Sequence, residues 1–264
     1  MANNLVTRII AALVLAPLAL AAAWYGGILW ALLAFVVGVG LYAEWLHIVG
    51  AWRWSVVASG TLTLAASLLT LWYDRLDVTA LVILVGICAL IGLLKMPLRW
   101  WSAAGLCYAA SAMIASAVLR DGPSQGFIAI VFVFAIVWAT DILGYVVGRS
   151  VGGPKLAPRI SPNKTWAGLL GGVAAGMVVG LVGALWLGAP SVWPLLLASA
   201  LLGIVEQAGD LMESGFKRYF GVKDSGRLIP GHGGFLDRVD GLLAVALAVA
   251  LAQSLGGGIL AWTR

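Results

Sequence analysis

Apolar runs long enough to cross a lipid bilayer recur from one end of this chain to the other, and no other feature restricts its fold so severely. A membrane-crossing helix needs roughly 20 predominantly apolar residues, and its backbone hydrogen bonds must close within the segment. Breaks at Gly, Pro or charge divide the chain into nine candidate spans, at 9–25, 27–49, 54–73, 78–94, 101–119, 126–148, 166–187, 192–216 and 240–262. Only 10% of residues are charged and the mean hydropathy is +1.03, whereas a soluble domain carries about a quarter charged residues. The expected fold is an all-α polytopic membrane protein of about nine transmembrane helices. It is read as one integral-membrane domain over 1–264, with hydrophobic spans in 1–125 and the chemistry in the spans and loops of 126–264. Arg8 followed by an apolar run ending at Ala21, Ala22 and Ala23 imitates a signal peptide. A second apolar segment begins almost at once, so the first span is expected to be retained. Cys88 and Cys107 lie in apolar runs without CxxC spacing and are read as small core residues.

Orientation follows from the basic residues, which short loops retain on the cytoplasmic side. With the N-terminus inside, thirteen of the sixteen lysines and arginines fall in the cytoplasm, leaving Arg75, Arg120 and Arg264 outside; nine spans put the C-terminus outside. Asp74, Asp77 and Asp121 fall in outer loops as solvated turn residues. The other eight acids, Glu44, Asp141, Glu206, Asp210, Glu213, Asp224, Asp237 and Asp240, fall in cytoplasmic loops or cytoplasmic halves of spans. Acid and base therefore converge on one face.

Ionisable residues inside a span are costly and are functional candidates by default. In span eight Glu206, Asp210 and Glu213 are spaced four and three apart, which stacks them on one helical face. Like charges on one stripe need cations among them. A divalent metal answers that, and oxygen donors favour magnesium over zinc; pairing with the basic loops is the alternative. Asp141 and Tyr145 share a face of span six, where Asp141 serves either a site or a neighbouring helix. Glu44 and His47, near the inner end of span two, are read as weaker candidates that snorkel to the interface.

The loop 149–165 carries Arg149, Lys155, Arg159 and Lys164 and no acid. Ser161 before Pro162 reads as a helix start, which together with Lys164 makes an anion site; positive-inside anchoring would also explain the lysines. Span seven carries small residues every fourth position, Gly168, Gly172, Gly176, Gly180, Ala184 and Gly188, a packing ridge within the subunit or across a homodimer. The stretch GVKDSGRLIPGHGGFLDRVD, 221–240, holds six charged residues and His232 around a glycine turn. Lys217, Arg218, Lys223, Arg227 and Arg238 supply cations, Asp237 and Asp240 supply carboxylates, and the turn lets backbone approach a ligand. These are the parts of a phosphoryl-transfer site.

From Ser214 through Lys217-Arg218, Lys223-Asp224, Pro230-Gly231-His232-Gly233-Gly234 and Asp237-Arg238-Val239-Asp240, the chain resembles the signature of the phosphatidate cytidylyltransferases, the CDP-diacylglycerol synthases. Gly209-Asp210 to Glu213-Ser214, Asp141 with Tyr145 and Gly148, and Ser161-Pro162-Asn163-Lys164-Thr165-Trp166 fit the same pattern. Ala167 stands where members often carry an acid. The resemblance covers about 141–241, and the five N-terminal spans match only in being hydrophobic.

It implies magnesium-dependent condensation of CTP with phosphatidic acid to CDP-diacylglycerol and pyrophosphate in a bacterial cytoplasmic membrane, with no nucleic-acid partner. Asp210 and Asp237 are implicated in a metal centre, with potassium as a further candidate ion; Glu213, Asp240 and Asp141 are added as ligands or their neighbours. Lys217, Arg218, Lys223 and His232 are assigned to the reaction. Ser161, Asn163, Lys164, Thr165, Ser214, Arg227, Gly231, Gly233, Gly234 and Arg238 are assigned to substrate binding. The glycine-turn loop is expected to grip the CTP triphosphate and Lys164 the phosphatidate head. The rival class is a secondary transporter with cation-binding carboxylates, which would need access from both faces.

Overall fold

The computed structural model describes residues 2–122, 125–226 and 233–256, and for residues 2–12 the backbone alone. Its helices among the described residues are α1 (Ala2–Tyr25), α2 (Gly27–Ile48), α3 (Trp54–Trp72), α4 (Leu76–Leu93), α5 (Leu98–Leu119), α6 (Gln125–Val151), α7 (Trp166–Trp186), α8 (Trp193–Tyr219) and α9 (Leu236–Ser254). The seven from α2 to α8 are long and apolar enough to cross a membrane. Their outward faces carry large apolar side chains such as Leu62, Leu84, Leu170, Leu185 and Leu201, each more than half exposed. A surface of that kind belongs against lipid tails. Trp54, Trp72, Trp166, Trp186 and Trp193 stand at helix ends, as interfacial tryptophans do.

The chain forms two compact units. The first comprises Met1–Ala117 and Phe220–Arg238, the second Val118–Tyr219 and Val239–Arg264. In the first unit α2 packs against α1 and α3, and α3 against α4. The Tyr42 ring fills the space beside Gly60, where a Cβ would overlap it, and its hydroxyl donates to Val56 O at 3.4 Å. Trp45 Nε1 donates to Trp101 O at 2.8 Å, and Trp30 Nε1 to Ser116 O at 3.0 Å, fixing α2 on α5.

In the second unit α7 lies against α6 and α8 along its small-residue ridge. A Cβ on Gly172 would stand 3.0 Å from Thr140 O on α6, and one on Gly180 would stand 2.7 Å from Leu195 O on α8. The ridge left open by the sequence is thus used within the subunit, where only small residues let the backbones approach.

Four expectations need correction. Ser161 does not cap α7. It begins β2 (Ser161–Thr165), which pairs antiparallel with β1 (Lys155–Ala157) as the one ribbon among the described residues of an otherwise helical chain. Pro162, lacking an N–H, is tolerated in such a two-stranded ribbon. The cap is Thr165, extended at φ −123°, whose Oγ1 accepts from Gly168 N at 3.0 Å. Span nine starts earlier than expected, at Leu236, so Asp237 lies in its first turn. Cys88 and Cys107 are exposed on the apolar surface rather than packed in the core. Glu44 does not snorkel: it is 1% exposed, because partners in the glycine-turn loop draw its carboxylate inward.

Candidate functional site

In the second unit a cavity of about 720 Å³ opens beside α6, α7 and the ribbon. The last turns of α6 contribute Asp141, Tyr145 and Arg149; the ribbon contributes Lys155, Asn163, Lys164 and Thr165; α8 contributes Gln207 and Asp210. Gly144, Gly148 and Gly168 also line it, and Gly144 and Gly148 let α6 lie directly against α7 at Gly168. Lys164 is the pivot. Its Nζ stands 2.6 Å from Asp210 Oδ2 and donates to Gln207 Oε1 at 2.9 Å. Ser214 Oγ donates to the other Asp210 oxygen at 3.2 Å. Arg149 Nη1 donates to the Tyr145 hydroxyl at 2.7 Å, which leaves the guanidinium along the cavity wall.

The acids of α8 and α9 gather behind this lysine. Glu206 is fully buried, lies against Asp141 and is within electrostatic reach of Lys164 and Asp210. Asp240 is within reach of Asp210, Glu213 and Asp141, and its Oδ1 accepts from Gly241 N at 2.8 Å. Glu213 is paired with Lys217 at 2.8 Å, one turn on. Arg218 turns away, its Nε donating to Ile160 O at 3.4 Å and tying the end of α8 to the ribbon. Ser161 is not part of the cavity lining.

Five carboxyl groups thus face two lysines, and Glu206 Oε2 has no hydrogen-bond partner among the described residues. Hard oxygen donors in negative excess fit a divalent cation such as magnesium. Among the described residues no three acids, histidines or cysteines are gathered closely enough to hold a metal by themselves. Magnesium does not require that, since it is commonly held by one or two carboxylates with phosphate oxygens and water completing the shell.

The glycine-turn loop belongs to the first unit and is built differently. Asp237, in the first turn of α9, accepts from Ser225 N at 3.0 Å and from Gly234 N at 3.1 Å. Gly233 has φ +83°, and a Cβ there would stand 2.6 Å from Asp237 Oδ2, so glycine is required twice over. Lys223 and Asp224 are exposed. Arg238, also exposed, donates its backbone N–H to Phe235 O at 3.0 Å. Arg227, Gly231 and His232 lie outside the described residues.

Gln207 was not singled out from sequence, Glu206 was read only as part of the acid stripe, and Glu44 only as a weaker candidate expected to snorkel. Gln207 had a usable signal, since it lies three residues before Asp210 and shares its helical face. Glu44 had none, because its partners lie 181 and 192 residues away.

The sequence model of the cytidylyltransferase family matches residues 6–255. The phosphatidate cytidylyltransferase of Brucella abortus biovar 1 (strain 9-941) is 44% identical over 260 residues, covering 94% of this chain and 93% of the relative. That of Brucella suis biovar 1 (strain 1330) is equally similar over the same shares. A relative of that name in Staphylococcus epidermidis (strain RP62A) is 50% identical over 123 residues, 46% of this chain and 47% of its own. The chain belongs to the cytidylyltransferase family, and it is an enzyme. The likeness extends well beyond residues 141–241, into the N-terminal spans that the motifs did not reach.

Proposed function

We propose that the chain transfers the cytidylyl group of CTP to phosphatidic acid, giving CDP-diacylglycerol and pyrophosphate, with magnesium as the cofactor. The observation that carries this reading is the cavity in which Lys164 rests on Asp210 beside Asp141 and Arg149. Cations able to hold phosphate and carboxylates able to hold a metal face one space. Family membership and the name its relatives carry agree with it.

A phosphatidate oxygen attacks the α-phosphorus of CTP, the bond from that phosphorus to the bridging oxygen breaks, and pyrophosphate leaves with the electron pair. The lipid phosphate is ionised near neutrality, so no protein nucleophile is required. Catalysis then rests on positioning and on neutralising charge. Lys164, Asn163 and the α7 cap would receive the phosphatidate head. Exposed apolar residues on the same helices, Ile142 and Val146 on α6 and Trp166 and Leu170 on α7, suit its acyl chains. The loop carrying Lys223 would grip the triphosphate, offering the exposed Lys223 ammonium to its oxygens. Asp210, with Asp141 and Asp240 near it, would hold the metal, which when bound would neutralise phosphate oxygens.

Nine spans with the N-terminus and both basic loops in the cytoplasm of a bacterial inner membrane complete the proposal. Asp224→Cys, in a Cys88→Ser, Cys107→Ser background, should resist impermeant thiol reagents in intact cells and react in inverted vesicles; labelling from outside would reverse the orientation. Purified protein given labelled CTP and phosphatidic acid should form CDP-diacylglycerol and equal pyrophosphate only when magnesium is present. Absence of the lipid product would refute the function.

A further inference from the structure

Three side chains meet at the α8 wall of the cavity, and the mechanism above uses two of them, Lys164 and Asp210. The third is Gln207, which lines the cavity although it is only 7% exposed. Lys164 Nζ donates to Gln207 Oε1 at 2.9 Å and stands 2.6 Å from Asp210 Oδ2. Gln207 and Asp210 lie three residues apart on one face of α8, so both acceptors reach the same ammonium.

That contact fixes which way the amide points. An ammonium has donors and no acceptor, so the atom of Gln207 that meets it is the carbonyl oxygen. The NH2 group is therefore the end not engaged by Lys164. It lies beside the crossing of α6 and α7, 3.5 Å from where a Cβ on Gly144 would stand and 3.6 Å from one on Gly172. Gly144 itself lines the cavity. Gln207 Nε2 has no hydrogen-bond partner among the described residues. A buried donor left unpaired is costly, and an amide NH2 has two hydrogens to give.

Charge explains why an amide stands here. Asp210 already neutralises Lys164, and a second carboxylate at 207 would repel an incoming phosphate. A neutral carbonyl holds the ammonium without that repulsion. Asp210 and Gln207 engage two of the three ammonium hydrogens and leave the third for a ligand. Gln207 thus couples a cation to an uncharged donor at the edge of one cavity, and the oxygens of an ionised phosphate accept from both.

We propose that Gln207 is a substrate-binding residue, whose carbonyl orients Lys164 and whose NH2 donates to a phosphate oxygen of phosphatidate. The proposal rests on the assignment of the cavity to the phosphatidate head.

The test uses the purified full chain in mixed micelles, comparing wild type with Gln207→Met and Gln207→Glu. Met has a similar length and lacks both amide functions. Glu keeps an acceptor for Lys164 but loses the donor and adds a charge. Gln207→Met should raise the KM for phosphatidate about tenfold and leave that for CTP within about twofold. Gln207→Glu should raise the phosphatidate constant at least as far, whereas a residue that only held Lys164 in place would be restored by Glu. A second readout is independent of turnover. Dioctanoyl phosphatidate, without CTP, should raise the Tm of wild type in detergent and raise that of both variants less at the same concentration. An unchanged phosphatidate constant in Gln207→Met, a Gln207→Glu constant near wild type, or an equal or larger rise for CTP overturns the proposal. If Gln207→Met does not purify, Gln207→Glu, which is nearly isosteric, decides by its own criterion. If wild type makes the lipid product and both variants match it, this inference alone fails. If wild type makes no product while phosphatidate raises its Tm and not theirs, the reaction assignment fails and the binding assignment stands. Equal Tm increments in all three proteins overturn the binding role whatever the turnover.

Discussion

The cavity of the second unit and the glycine-turn loop of the first both place carboxylates where phosphate is expected, but they satisfy those carboxylates differently. In the cavity charge meets charge: Asp210 is held by Lys164 and Glu213 by Lys217. In the loop the acids are held by neutral donors, backbone N–H groups of Ser225, Gly234 and Leu236 and the Ser225 hydroxyl. An ion pair can be exchanged for another ion without moving backbone. A carboxylate that fixes backbone donors cannot be released without reshaping the segment it fixes. The cavity thus carries exchangeable ion pairs, and the described ends of the loop carry carboxylates bonded to backbone.

The largest expected effect is at Asp210. Asp210→Asn keeps the size of the side chain and removes the charge, and should lower kcat on the order of 100-fold or more while the protein purifies normally. Asp237→Asn should lose activity similarly, but with faster tryptic cleavage of the loop, because one of its two acceptor oxygens becomes a donor. Equal protease sensitivity in both variants would erase the distinction between the regions. Next comes the scaffold of the cavity. Gly172→Ala would push a Cβ to 3.0 Å from Thr140 O and should destabilise the protein by roughly 1–3 kcal/mol, seen as a lower Tm in detergent. Gly92→Ala, with nothing within 4 Å of the added atom, is its control and should leave Tm unchanged. The smallest effects belong to Asp74→Asn and Asp121→Asn, outside both regions, where activity should stay within about twofold. A loss there comparable to that at Asp210 would show that activity loss does not discriminate between sites.

The helical class and the cavity acids were legible in the sequence because each follows from spacing along a single element. Apolar runs announce helices, and residues 206, 210 and 213 fall on one face whatever surrounds them. The ribbon was missed because Ser161-Pro162 is a sound helix start taken alone. What decides against it is long-range pairing, Lys155 opposite Thr165 with Trp166 N donating to Pro154 O at 3.1 Å. The burial of Glu44 was missed for the same kind of reason. A lone acid near a helix end snorkels unless a distant segment brings donors to it, and period-based reading has no access to such a segment. The exposed cysteines show the converse limit: in a membrane protein an apolar run does not say which of its residues face protein and which face lipid.

The central claim is that the two regions serve different substrates, the cavity the phosphatidate head and the loop the CTP triphosphate. Steady-state kinetics of Lys164→Gln and Lys223→Gln, varying each substrate separately in mixed micelles, tests it most directly. Loss of one charge-assisted contact predicts a rise of roughly ten- to a hundredfold in the affected KM. Lys164→Gln should raise the constant for phosphatidate and Lys223→Gln the constant for CTP, each leaving the other nearly unchanged. Equal rises in both constants for either variant, or a fall in kcat alone, would contradict the division.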